Sequence, residues 1–324
     1  MRRHTVGLGL TALGSLLVSG ALAVNPLLAP ALVTLPLDQA ADPTAAGTDV
    51  SWYDLGNMEQ LTGLSATAAQ TVRGDESSAE ASSSTAVWSS GTVITSDDGD
   101  LLNASSYTVC LDRHQAFAVE CDVDAVDDEE TQVVGLTMTF PFHTERKSYQ
   151  VFNSTTGQAF DAEYEGEETL DGLTVYRFQQ DIPETVIRSL DGPAELAGAD
   201  GDGTVEADVV YSNERTLWVE PTSGVIVTAE EHPYTVLRGP DGTEGAVLLA
   251  GDFTGTDDTR DGQVALAEDT SSKITLLETI LPWTLGVLGV LLIIAGALLS
   301  FTDRRPRTRR GGHARRDEEL QPVG

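Results

Sequence analysis

Two cysteines, Cys110 and Cys121, are the residues best equipped for chemistry, and a single pair is what one disulfide needs. They lie in the part of the chain read as exported, where such a bridge forms and persists. It would close a short loop, a constraint of about 3 kcal/mol on the unfolded chain. The intervening LDRHQAFAVE reads as two short strands around a turn, so the bridge would staple a hairpin. Metal ligation needs more donors than two thiols, and only His114 is close. Other chemical signals are weak. His114, His143 and His232 stand in no H-E-x-x-H spacing, and no G-x-S-x-G elbow occurs. Carboxylates are so numerous that no chosen acid/base pair is informative. Asp200-Gly-Asp202-Gly-Thr204 opens like a calcium loop, but its twelfth position is Tyr211 rather than Glu and its flanks read as strand. The clusters Asp122, Asp124, Asp127 to Glu130 and Asp252, Asp257, Asp258, Asp261 read as solvated acidic loops. The chain is therefore read as a non-enzyme without catalytic residues, metal site or cofactor.

Two apolar runs must position whatever the rest does. Ile280 to Phe301 carries no charge and would span roughly 33 Å as a helix, enough for a bilayer core of roughly 30 Å. Arg304, Arg305, Arg307, Arg309 and Arg310 follow it, and Trp283 suits the opposite interface, so the basic tail is read as cytoplasmic. Val6 to Val24, after Arg2 and Arg3, also fits a cleavable signal with Ala21-Leu22-Ala23 at its end. An uncleaved anchor is favoured, because the run is long and stays apolar past Asn25. Pro26, Pro30 and Pro36 predict that the helix ends near Asn25 and continues as an extended segment. The resulting layout is a cytoplasmic end at 1–5, a span at 6–25, an exoplasmic domain at 26–279, a span at 280–301 and a basic cytoplasmic tail at 302–324. Both termini then face the cytoplasm across the plasma membrane, with membrane lipids as obligatory partners.

Charge is concentrated between the spans. Of 19 Lys+Arg and 51 Asp+Glu, nine arginines and four acids sit at the two ends, leaving 10 against 47 and a domain charge of −37. Nucleic acid is excluded as a partner, since phosphate binding needs a cationic surface.

Within the domain, short β-rich runs alternate with turn signals: 107–110, 116–121, 133–140, 148–152, 158–166, 173–180, 205–212, 215–219, 225–231, 234–238 and 246–253. The runs at 215–219 and 225–231 flank Glu220-Pro-Thr-Ser-Gly224 as a hairpin. Trp52 to Leu61 reads as a short helix and Gly262 to Leu277 as a helix leading toward the second span. Glu76 to Thr85 and Leu190 to Gly203 read as loops. The fold class is mainly β, an antiparallel barrel-like or sandwich domain with one transmembrane helix at each terminus.

Several pieces carry a resemblance. Phe140-Pro-Phe142, Lys147 with Tyr149, Tyr164-x-Gly166-x-Glu168, Gly172-Leu-x-x-Tyr176-x-Phe178, LDRHQAFAV at 111–119 and LWVEPTSGVIV at 217–227 resemble the actinobacterial two-span membrane proteins called the PorA porin family. With the terminal runs, the likeness covers nearly the whole chain. RTLWVEPTSGVIV at 215–227 and the two-span layout are also similar to the class B scavenger receptor family, which implies a β-barrel-like ectodomain with an apolar lipid tunnel.

Pore formation by the strands meets a physical objection, because a membrane barrel needs strands of about ten residues with an apolar outer face. These runs read as short and acidic. Three functions are weighed: binding or transfer of a lipid or other hydrophobic ligand, a structural or partner-binding envelope protein with an unknown partner, and a pore-forming oligomer. The first is the leading expectation. It would use Phe140, Phe142, Tyr176, Phe178 and Trp218 as the ligand-facing set, residues that an ordinary core would also employ.

Overall fold

The computed structural model describes residues 2–201 and 203–301. Asp202 of the calcium-like loop and the basic tail at 302–324 lie outside the described residues. The chain divides into two compact units, residues 28–276 and a helical unit drawn from both ends of the sequence.

The helical unit holds α1 (Arg2–Ala23), which passes through a π turn at Val24–Leu28 into α2 (Ala29–Leu32). This corrects the expected exit near Asn25. Pro26 falls inside the π turn, where the ladder is already interrupted, and Pro30 sits in the first turn of α2, where no N–H is needed. At the other end, α3 (Asp257–Thr275) leads through a second π turn, Leu276–Ile280, into α4 (Leu281–Phe301). The helices Thr5–Leu32 and Asp257–Phe301 are long and apolar enough to cross a membrane. α1 and α4 pack antiparallel in a register set by glycine: Gly14 faces Gly289 and Gly7 faces Gly296. A Cβ at Gly14 would stand 2.5 Å from the Gly289 oxygen, and one at Gly296 would stand 2.6 Å from the Gly7 oxygen. Glycines seven apart, two helical turns, present one backbone to the other in this way.

The larger unit is one 14-stranded sheet. Its strands are β1 (Ala40–Ala41), β2 (Thr44–Asp54), β3 (Glu59–Gly74), β4 (Thr85–Ser96), β5 (Leu101–Asp112), β6 (Ala125–Val126), β7 (Glu129–Glu130), β8 (Tyr149–Asn153), β9 (Gln158–Leu170), β10 (Leu173–Pro193), β11 (Thr204–Val219), β12 (Ile226–Glu231), β13 (Tyr234–Arg238) and β14 (Glu244–Gly255). Pairing runs β5-β4-β3-β2-β14-β12-β11-β10-β9-β8, all antiparallel, with β13 bridging β11 and β14. The two ends of this path then meet through an irregular seam. Leu111 of β5 bridges Ala118, the Ala118 N–H donates to Gly135 O at 2.8 Å, and Leu136 bridges Val151 of β8. The ladder is thereby closed into a ring.

Several expectations are corrected here. Several strands are longer than expected, 21 residues in β10 and 16 in β3 and β11, while β8, β12 and β13 keep the expected five or six. Trp52 to Leu61 is no helix but the end of β2, a turn and the start of β3. Asp54 accepts the Gly56 N–H at 2.8 Å and the Asn57 N–H at 3.2 Å, and this side-chain turn outcompetes a helical start. Residues 133–140 form no regular strand, because Gly135 at φ +81 breaks the alternation while Val133, Leu136 and Phe140 are buried. The loop expected from Leu190 begins only after Pro193. α3 starts five residues earlier than expected, at Asp257, where the Thr256 hydroxyl accepts the Thr259 N–H as a cap.

Inward positions follow from alternation. Along β3 the series is Ala66, Ala68, Gln70, Val72, and along β4 it is Ala86, Trp88, Ser90, Thr92, Ile94. Trp88, Val72, Leu111, Phe140, Phe178 and Leu217 belong to one large apolar cluster, and Val50, Ala66, Ile94, Leu102 and Phe253 to a second. Gln70 and Ser90 lie between them on their strands, so a polar layer separates two apolar ones. Outside the ring, α3 buries Ala267 against Val175 and Val227.

Candidate functional site

Phe140, Phe142, Tyr176 and Phe178 are brought together at the larger apolar cluster. The rings of Phe140 and Phe178 stand 4.8 Å apart, and Tyr149 completes the contact at 5.4 Å from Phe140 and 5.9 Å from Phe178. Tyr164 reaches Phe178 at 5.9 Å and Tyr176 at 5.3 Å. Phe140 and Phe178 are 1% and 0% exposed, so they pack on one another and on aliphatic neighbours as a filled core does. Trp218 is elsewhere. Opposite in parity to Leu217 and Val219, it points out of the ring, packs near Val175 and Val227, and donates its Nε1–H to Glu168 at 2.9 Å.

The Phe140-Pro-Phe142 and Glu220-to-Gly224 motifs are partners. Glu220, 6% exposed, accepts the Thr222 N–H at 3.0 Å and the Ser223 N–H at 2.7 Å, capping its own turn. Gly224 at φ +75 donates nothing to Phe140 but accepts its N–H at 2.9 Å, and a Cβ there would collide with the Phe140 carbonyl oxygen. His143 and Thr144 N–H groups then bond Thr222 and Pro221. Both motifs build the wall of the ring.

The polar layer was not anticipated. Its centre is Arg215 on β11, whose guanidinium donates to Gln180 Oε1 at 3.0 Å and to Glu231 at 3.0 Å, with 16% of its side chain exposed. Gln180, 0% exposed, donates to the Val151 and Phe160 carbonyls at 2.7 and 3.1 Å. Asn213 joins Glu231 to the Tyr211 hydroxyl at 3.2 and 3.0 Å. Burial is the largest influence on Arg215 and works against its charge, but the Glu231 carboxylate with Tyr211 and Tyr107 together outweighs it, and the guanidinium ends above its ordinary value. Burial pushes the Tyr107 phenol up to about 12, opposed by Arg215 and by hydrogen bonding to Ser90. Tyr211 is raised in the same way, burial first and the Glu231 charge second. The strand pattern carried the signal: Tyr211, Asn213, Arg215, Leu217 and Val219 share one parity, which puts polar groups on the face that buries Leu217.

Cys110 and Cys121 are bridged, with Cα atoms 6.2 Å apart. Asp124, 4% exposed, accepts the Cys110 N–H at 3.0 Å and the Val133 N–H at 3.3 Å.

In the helical unit, an apolar groove of about 450 Å³ runs between α1 and α4, lined by Val18, Leu22, Pro282, Trp283, Val287 and Leu291 among others. Apart from the Trp283 indole its lining side chains are aliphatic.

Comparison with known proteins agrees with the resemblance. A family model described as Porin PorA matches residues 6–298. A "Porin PorA" from Corynebacterium amycolatum is 29% identical, covering 64% of this chain and 68% of the relative. A second "Porin PorA", from Corynebacterium resistens, is 25% identical with the same two coverages. A β-rich chain with two apolar helices, matched by that model over nearly its whole length, is a membrane protein that belongs to the Porin PorA family.

Proposed function

We propose that the chain is a pore-forming membrane protein that conducts as an oligomer, with two spans, both termini cytoplasmic and the β-rich domain outside the cell membrane. The family match over residues 6–298 carries this reading, together with relatives that bear the name porin. The arginines that follow the second run support the orientation.

In this proposal the conduit belongs to the assembly rather than to one chain. The ring is filled, with Phe140, Phe178, Leu111 and Leu136 at its centre, so its interior is a core and not a lumen. Its outer surface carries Arg177 between Glu165 and Glu168, and Arg238 between Glu184 and Glu244, which acyl chains would not solvate. The two helices touch backbone to backbone at glycine, and the groove beside that contact is apolar rather than a path for water. Several helix pairs are needed to surround water.

Purified full-length protein in planar bilayers tests the proposal. Stepwise conductance is expected, rising more steeply than in proportion to protein concentration. Electrically silent bilayers, with insertion verified independently, overturn it.

A further inference from the structure

Each compact unit is anchored close to where the chain passes between them. On the ring side, Leu35 is 5% exposed in the large apolar cluster, its N–H donates to Arg113 O at 2.7 Å, and Arg113 Nε donates back to Leu35 O at 2.7 Å. α3 is held there too, with Ala267 buried against Val175 and Val227 and Arg260 in an ion pair with Asp171 at 3.0 Å. In the helical unit, α1 and α4 are in backbone contact at Gly14 and Gly289.

The boundary between the units falls between Leu27 and Leu28 in one connection and between Leu276 and Leu277 in the other. Both places lie inside the two π turns, Val24–Leu28 and Leu276–Ile280. Of the ten residues in these turns only Val24 is buried. A π turn carries one residue more than the α-helical ladder on either side accommodates. Proline interrupts each connection again. Pro26, Pro30 and Pro282 stand four residues after Leu22, Pro26 and Glu278, so those three carbonyls meet no amide N–H at the α-helical position. The apolar groove between α1 and α4 reaches Leu22 and Pro282, so packing between the helices is open next to both turns.

We infer that the two π turns form a paired hinge, which lets the strand ring and the helix pair reorient as bodies while each keeps its internal contacts. Helices bend at prolines and π turns, and hinges are a few residues at element ends that absorb the change in φ and ψ. Having two connections restricts the motion to bending, because free rotation about either helix would strain the other. The hinge holds whether or not the chain conducts.

The test is the distance distribution between spin labels on Leu16→Cys, exposed on α1, and Thr67→Cys, exposed on β3, in the full-length protein in nanodiscs. Cys110 and Cys121 are held in their disulfide and take no label. The width is expected to be about twice that of a pair within the ring, Thr67→Cys with Thr169→Cys, as rigid bodies joined by a hinge require. Deleting Pro26 and Thr279 together removes the extra residue from each turn and should narrow the distribution to that of the ring pair. A wild-type distribution as narrow as the ring pair overturns the inference, as does a doubly deleted protein that stays as broad as the wild type. The wild-type comparison decides even if the double deletion does not fold.

Discussion

In the helical unit, Gly14 and Gly289 bring two backbones into contact and the surrounding surface is apolar on every side, with Leu16, Leu22 and Trp283 each more than two-thirds exposed. In the strand ring the reverse holds. Charged residues face outward, and the interior carries a hydrogen-bonded layer of Arg215, Glu231, Gln180 and Asn213 between two apolar clusters. Each unit is thus closed to water along its own axis by a different means, backbone proximity in one and side-chain filling in the other. Specificity also differs. Seven-residue glycine spacing fixes the helix register by backbone proximity, while the ring fixes strand register by matching polar groups whose misalignment would leave a buried charge unpaired.

The sharpest way to break this contrast is to empty the ring. Phe178→Ala removes a side chain that is 0% exposed and packs against Phe140 and, edge-on, against Tyr149 and Tyr164, so the ring should lose about 3–5 kcal/mol of unfolding free energy. Urea titration followed by tryptophan fluorescence measures it. A loss under 1 kcal/mol would mean that the aromatics line space rather than fill it, and the ring would have to be redrawn as a chamber.

Next in size is the polar layer at high pH. The folded Tyr107 phenol titrates at about 12 against an ordinary 10, because burial disfavours its anion. A folded-state value above the unfolded one contributes stability that is complete below pH 10 and vanishes as pH rises through 12. The loss should reach about 2–3 kcal/mol across that window, two units at 1.36 kcal/mol each. Tyr211 shifts in the same direction and adds to it. Denaturation midpoints at pH 9, 10, 11 and 12 check this, with Tyr107→Phe expected to remove most of the slope. A flat wild-type curve would show that the layer is wet.

Much of this was legible in the chain. The apolar runs, the acidic β-rich middle, the disulfide and the hairpin across Glu220 to Gly224 follow from composition, cysteine count and turn chemistry, all of them local. The seam was not legible, because Gly135 turns an apparently alternating 133–140 stretch into an irregular bridge whose partners, Ala118 and Gln150, are distant in sequence. The turn at Asp54 defeated a helical reading through a side chain that bonds its own backbone. Among the expected ligand-facing residues, Trp218 differs from the others by strand parity alone, which the sequence does display. Arg215 was hidden by its type, since an arginine in an acidic domain reads as surface unless the parity of Leu217 and Val219 is followed back to it. The glycine pairs Gly7/Gly14 and Gly289/Gly296 were equally visible as spacing, but spacing within one helix says nothing until its partner is known.

The smallest effect on the ring is expected from a change that is severe for the helices. At Gly289 a Cβ would stand 2.7 Å from the Gly14 oxygen and 2.8 Å from a Val18 methyl, and neither backbone can give way without separating the pair. Gly289→Leu should therefore part α1 from α4, seen as loss of cross-linking between cysteines placed at Leu10 and Ile293 in a background lacking Cys110 and Cys121. That background should still fold, less stable by about 3 kcal/mol. Within it, the urea midpoint of the ring should move by no more than about 0.5 kcal/mol, as expected for a site outside its core. Conductance should fall with the cross-linking if the pore is built from helix pairs. Conductance that survives parted helices would shift the conduit to the β-rich domain, and a ring destabilised along with the helices would show that the two units fold as one.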